Sequence, residues 1–124
     1  MTYKILVADD EPNIVISLEY LMKREGHEVI VARDGQEALD AIYRERPDLV
    51  LLDVMMPRKS GFEVCQTVRA DDTLDPVRIL MLTAKGRETD IAKGQALGAD
   101  AYMTKPFSTR ELVDRVAGLL ASPR

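Results

Sequence analysis

The chain has 124 residues and one cysteine, a length that suits a single domain over 1–124 and leaves Cys65 with no intramolecular disulfide partner. Apolar residues at 46% and charged residues at 31% exclude a disordered, collagenous or coiled-coil chain, and the net charge of −4 excludes a global basic field for DNA, RNA or an anionic bilayer. No strictly apolar run exceeds four residues, far short of a membrane span or a signal-peptide core, so a cytoplasmic protein is expected.

The first apolar run, Ile5 to Ala8, reads as a strand, and a helix follows from Pro12. Its inward side is Ile14, Val15, Leu18, Leu21 and Met22, and Gly26 is its stop. Val29 to Ala32 is the second strand, and the next helix starts after Asp34-Gly35, turns Ala38, Leu39 and Ile42 inward and ends before Pro47. Leu49 to Leu52 is the third strand. Ser60-Gly-Phe-Glu63 reads as a capping box opening a third helix, with Phe62, Cys65 and Val68 as core positions.

Ile79 to Leu82 is the fourth strand, and the helix around Glu88 to Leu97 is the weakest, since Gly94 inside it costs about 1 kcal/mol relative to alanine. Thin packing there predicts mobility. Ala101 to Met103 is the fifth strand. The last helix has Ser108 and Glu111 as a capping box, Phe107 and Leu112 as a hydrophobic staple, and Leu112, Val113, Val116, Leu119 and Leu120 inward. Continuous apolar runs suit strands covered on both faces, so five strand–helix units predict an α/β fold, a doubly wound parallel sheet with helices on both faces. Ligands of such sheets bind beyond the carboxyl ends of the strands.

That rule selects a particular set of residues. Asp9, Asp10 and Glu11 follow the first strand, Asp53 the third, Thr83 the fourth, and Lys105-Pro106 the fifth. Each has an ordinary reading by itself: acidic charge at a helix start, a loop-entry aspartate, a β-forming threonine, a solvated lysine. Together they form a crowd, because two carboxylates about 5 Å apart at an effective dielectric near 20 repel by roughly 3 kcal/mol. Lys105 offsets one charge, and oxygen-only ligands on a partly open rim suit Mg2+ for the remainder. Zinc is excluded by a single histidine and a single cysteine far apart in sequence. An ionised aspartate beside such an ion and a lysine can attack a phosphoryl group, giving an acyl phosphate.

These residues resemble the receiver domain of bacterial two-component response regulators over essentially the whole chain. The resemblance is carried by Val7-Ala-Asp-Asp-Glu-Pro12, Leu51-Leu-Asp-Val-Met-Met-Pro57, Leu82-Thr-Ala84 and Thr104-Lys-Pro-Phe107. It implies a flavodoxin-like sheet of order 2-1-3-4-5 and a phosphorylation-activated signalling switch rather than an enzyme. It further implies Asp53 as phosphoacceptor, Asp9 and Asp10 as the acidic pair that positions magnesium, and the Met55 backbone carbonyl as completing the metal shell. Thr83 and Lys105 are implied as switch hydroxyl and phosphate-binding lysine, Lys105-Pro106 as a cis peptide, and Tyr102 as an aromatic switch residue that turns inward when Thr83 is drawn to the phosphate. The face of the fourth helix, fifth strand and fifth helix is then the part that shifts. Met55 and Lys85, two residues beyond Asp53 and Thr83, are expected to tune phosphate lifetime.

The implied partners are a sensor histidine kinase or phosphotransfer protein and an unidentified downstream target, with no direct nucleic-acid or membrane contact. Receivers joined to DNA-binding domains often dimerise through charged pairs on that same face. Glu111 and Arg115 fit the pattern, but Ile91 and Ala101 stand where charged partners belong. A stand-alone receiver, or one with a different output arrangement, is therefore expected first, as a monomer, with a weak phosphorylation-dependent symmetric dimer second; the receiver half of a DNA-binding regulator truncated at Arg124 is the alternative. A small magnesium-dependent phosphohydrolase is a rival, but Met55 stands where its general acid is needed, two residues after Asp53. A flavodoxin-like nucleotide binder is another, and Asp-Asp-Glu-Pro after the first strand offers no glycine-rich phosphate nest. Cys65 and His27 read as a core thiol and a turn histidine.

Overall fold

The computed structural model describes residues 2–84 and 87–122, so Lys85 and Arg124 lie outside the described residues. Elements alternate throughout: β1 (Lys4–Ala8), α1 (Pro12–Arg24), β2 (Glu28–Ala32), α2 (Gly35–Glu45), β3 (Leu49–Asp53), α3 (Gly61–Ala70), a 3-10 turn (Asp72–Leu74), β4 (Arg78–Ala84), α4 (Glu88–Ala96), β5 (Ala101–Lys105) and α5 (Thr109–Ala121). All strand pairs are parallel, in the order β2-β1-β3-β4-β5. The doubly wound flavodoxin-like sheet expected from the sequence is therefore found.

The apolar runs are explained by two cores, because successive strand residues point to opposite faces. Leu6, Val50, Leu52, Ile79 and Met81 pack under α2 and α3 on one side, with Ala38, Ile42, Val64 and Val68. Ile5, Val7, Leu49, Leu51, Leu80 and Leu82 pack under α1 and α5 on the other, with Leu18, Met22, Leu112 and Val116. Every residue of β3 is buried, as the central strand of a sandwiched sheet requires.

Local chemistry sets the helix ends. Asp34 caps α2 by accepting from the Glu37 N–H, and Ser60 and Glu63 form the reciprocal box expected for α3. Gly26, at φ +89°, turns the chain after α1 with its N–H on the Lys23 carbonyl.

Three expectations need correction. At α5 the Ser108 hydroxyl accepts from the Glu111 N–H, but the Glu111 carboxylate returns to that hydroxyl and not to the backbone, so the box is half closed. Val113 and Leu119 are only half-buried, because the inward stripe of α5 is the narrower Leu112, Val116, Leu120 row. In α3 it is Val64 that is fully buried, whereas Phe62 is half-buried with its ring under the Lys93 ammonium, 4.6 Å away. α4 is as thin as expected, burying only Asp90 and Gly94.

Candidate functional site

The strands run slightly further than their apolar residues, and the extension brings chemistry with it. β3 ends on Asp53, β4 carries Thr83, and β5 ends on Lys105. Register aligns them at one edge: Asp53 lies opposite Leu82, and Thr83 and Ala84 lie opposite Thr104 and Lys105. Asp9 and Asp10 follow β1 directly at that same edge.

Asp9, Asp10 and Asp53 each offer a carboxylate oxygen, and these three oxygens lie within 4.8 Å of one another. Asp9 is fully buried and Asp53 is 7% exposed, while Asp10 faces solvent. The Lys105 ammonium donates to Asp9 Oδ2 at 2.8 Å and to Asp53 Oδ1 at 3.4 Å. The other Asp9 oxygen accepts the Glu11 N–H at 2.9 Å, so Asp9 is well held. Asp53 is less so, with one long bond from the Met55 N–H at 3.4 Å besides Lys105.

Electrostatics follow this geometry. Burial first, and the Asp9 charge second, push the Asp53 carboxyl up to about 6, against the opposing pull of Lys105. For Lys105 burial works against the charge, but the hydrogen bond to Asp9 and the charges of Asp53 and Asp9 outweigh it and raise the ammonium above its ordinary value. Three carboxylates against one ammonium leave 1 − 3 = −2 in formal charge, which is what a divalent cation neutralises. The donor set, all carboxylate oxygens on a partly open edge, fits magnesium.

A second irregularity lies beside the first. Thr83 is 1% exposed and its hydroxyl has no hydrogen-bond partner among the described residues. A buried hydroxyl left unpaired costs about 1–3 kcal/mol, so an acceptor brought to this edge would be bound favourably. Tyr102, on the neighbouring strand, is 37% exposed, with its ring outside the core. Its carbonyl accepts from Arg115 at 3.4 Å. Lys105-Pro106 is cis, as the motif implied. Met55 is an exposed side chain in the loop after β3.

Sequence reading missed how this loop is held. Gly61 follows it, and a Cβ there would collide with the Asp53 carbonyl, so only glycine lets α3 start this close to the strand end. The Gly61 N–H instead donates to the Val54 carbonyl at 2.9 Å. Asp90 was also missed: it is buried at the start of α4 and paired with Arg87 at 3.1 Å. A charged residue in an otherwise thin apolar stripe was the available signal.

Comparison with known proteins agrees with the geometry. The family of response regulator receiver domains matches residues 5–117. The alkaline phosphatase synthesis transcriptional regulatory protein PhoP of Bacillus subtilis is 52% identical over 120 residues, 97% of this chain. The chain spans about half the length of that relative, 49%. Among solved structures, the chemotaxis response regulator CheY4 of Vibrio cholerae superposes with a TM-score of 0.89 at 32% identity, over 96% of this chain and 99% of that one. The receiver domain of a sensor histidine kinase from Pseudomonas aeruginosa, solved with a magnesium ion in its active-site cleft, gives 0.90 at 27% identity over 98% and 100%. No helix among the described residues is long and apolar enough to cross a membrane. With a family match from residue 5 to residue 117 and the acidic edge in place, this chain belongs to the response regulator receiver domains of two-component signalling.

Proposed function

We propose that Asp53 is the phosphoacceptor of a magnesium-dependent signalling switch in the cytoplasm. The observation that carries this reading is the uncompensated acidic cluster: three carboxylates within 4.8 Å held by one ammonium. Asp9, Asp10, Asp53 and the Met55 carbonyl would hold the ion. When bound, magnesium neutralises charge on the phosphoryl oxygens.

The remaining work falls to the chain. Lys105 keeps the Asp53 oxygen aimed and is available to the incoming phosphoryl group. An Asp53 oxygen attacks the phosphorus of a phosphohistidine on a sensor kinase or phosphotransfer protein. The O–P bond forms, the P–N bond breaks, and the imidazole nitrogen keeps the electron pair and takes up a proton. Water later cleaves the acyl phosphate, at a rate tuned by Met55 beside the reacting carboxylate.

The buried Thr83 hydroxyl gains its missing acceptor in a phosphoryl oxygen. Two charge-assisted hydrogen bonds, from Thr83 and Lys105, contribute about 1.5–3 kcal/mol each, close to the roughly 5.5 kcal/mol that inverts a 1:99 population. Movement of Thr83 opens the place into which Tyr102 turns, and α4 is the element with least packing to resist. Output then passes through the face of α4, β5 and α5.

Likeness to PhoP supports a transcriptional effector as the downstream partner, and this chain's own charge of −4 leaves DNA contact to that effector. Arg115 donates to the Tyr102 carbonyl, and Ile91 and Ala101 bring no charge to this face, so any symmetric pairing of receivers is weak. Incubation with magnesium chloride and acetyl phosphate tests the assignment. One phosphate labile to base and to hydroxylamine is expected in the intact mass, absent in Asp53→Asn; incorporation at another residue contradicts it.

A further inference from the structure

Between Asp53 and α3 the chain crosses the acidic edge as a loop in which Met55 is 63% exposed. On the near side the loop is anchored at Val54, whose N–H donates to the Leu82 carbonyl at 3.1 Å and whose carbonyl accepts from Gly61. The far anchor comes from another element altogether. The Gly35 N–H, in the first turn of α2, donates to the Pro57 carbonyl at 3.2 Å, which also accepts from Lys59 at 2.8 Å. Gly35 presses so close that a Cβ on it would run into the Lys59 carbonyl.

Beside this contact Arg58 holds a left-handed backbone, φ +70°, which arginine adopts only where its surroundings impose it. Its guanidinium reaches Asp34 Oδ2 at 3.5 Å, while Asp34 Oδ1 caps α2 through the Glu37 N–H at 2.8 Å. One aspartate thus ties the start of α2 to the loop.

We infer that the Asp34-Gly35 turn is a positioning brace for the phosphoacceptor loop, fixing the stretch between Val54 and Pro57 so that the Met55 carbonyl is presented ready to bind the cation. This rests on the proposed magnesium site. A carbonyl already held in place gives up no freedom on binding, so the brace adds affinity without touching the ion. Asp34, Gly35 and Arg58 are positioning residues, and none of them is a ligand.

Calorimetric titration of the chain with magnesium chloride, beside thermal unfolding of each variant in EDTA, tests the brace. Arg58→Gly suits the left-handed backbone and removes the whole side chain with its guanidinium, and Asp34→Asn keeps the cap and removes only the charge. Each should change the metal-free unfolding midpoint little and weaken magnesium binding about three-fold, the size of effect expected of an ion pair with one partner in solvent. Arg58→Lys should restore wild-type binding. Gly35→Ala should weaken binding more than about ten-fold, since the loop itself must move; if it does not fold, the two milder variants decide. Wild-type affinity in Arg58→Gly and Asp34→Asn, with the wild type binding normally, overturns the brace alone. Absence of binding by the wild type overturns the cation site and the brace with it.

Discussion

The same five strands end in two opposite electrostatic arrangements. At the amino-terminal edge Lys4 pairs with Glu45 at 3.2 Å and Glu28 at 3.6 Å, and its N–H donates to Asp48 at 2.8 Å. There the Lys4 hydrogen bond pulls the Glu45 carboxyl below its ordinary value and raises the ammonium in return. At the carboxyl-terminal edge Asp9 and Asp53 are buried together, Asp53 is pushed up instead of down, and the Thr83 hydroxyl has no hydrogen-bond partner among the described residues. One edge is arranged for the folded state as it stands, and the other for a state with added charge. Local conflict of this kind, in a chain otherwise consistent at every level, marks a working site.

Removing the cation at each edge breaks the comparison most sharply. Lys105→Ala leaves the fully buried Asp9 without its partner and should cost about 3–5 kcal/mol of unfolding free energy in urea. Lys4→Ala, in exposed pairs, should leave the urea midpoint nearly unchanged. Asp53→Asn works in the opposite direction. With its carboxyl raised from 3.8 to about 6, ionised Asp53 opposes folding near neutral pH, so its removal should stabilise the metal-free protein by about 3 kcal/mol.

Thr83→Ala relieves about 1–3 kcal/mol by removing a hydroxyl with no partner among the described residues and loses about 1 kcal/mol with the buried methyl, so metal-free stability should be equal to or up to about 2 kcal/mol above wild type. Acetyl phosphate should still label Asp53 in that variant, and phosphorylation should no longer change the environment of Tyr102 in NMR spectra. A retained Tyr102 response would separate the two residues.

Acidity discriminates the edges more gently. The folded Asp53 carboxyl takes up its proton near pH 6, before the unfolded chain does near 3.8, so its contribution favours folding increasingly as pH falls from 7 toward 4. The amino-terminal edge runs the other way. The stabilisation from Glu45 is present above its unfolded value of 4.5 and lost as pH falls through the lower folded value. Burial, against the opposing charges of Glu25 and Asp48, holds His27 below 6.5, so its contribution is likewise lost on acidification below that point. In urea titrations between pH 7 and 5, wild type should therefore gain relative to Asp53→Asn.

Much of this was legible in the chain itself. Unbroken apolar runs give a doubly covered sheet, and the strand-end rule selects Asp9, Asp53, Thr83 and Lys105 before any coordinates. Three things were not legible. Strand ends are set by register, so the apolar runs stop short of Asp53, Thr83 and Lys105, which the ladder includes. Half-burial of Val113 and Phe62 depends on how steeply each helix crosses the sheet, which periodicity does not encode. The Asp34-Gly35 turn reads locally as a helix start and nothing more; its grip on Pro57 and Arg58 exists only once α2 and the loop after β3 lie side by side.

The central claim is that the carboxyl-terminal edge is built for charge it does not itself supply, and thermal unfolding with and without magnesium tests it most directly. Millimolar magnesium chloride should raise the wild-type midpoint relative to EDTA, as ligand binding to the folded state alone requires, and should raise that of Asp53→Asn much less. An unchanged wild-type midpoint, or an equal rise in both proteins, would contradict it.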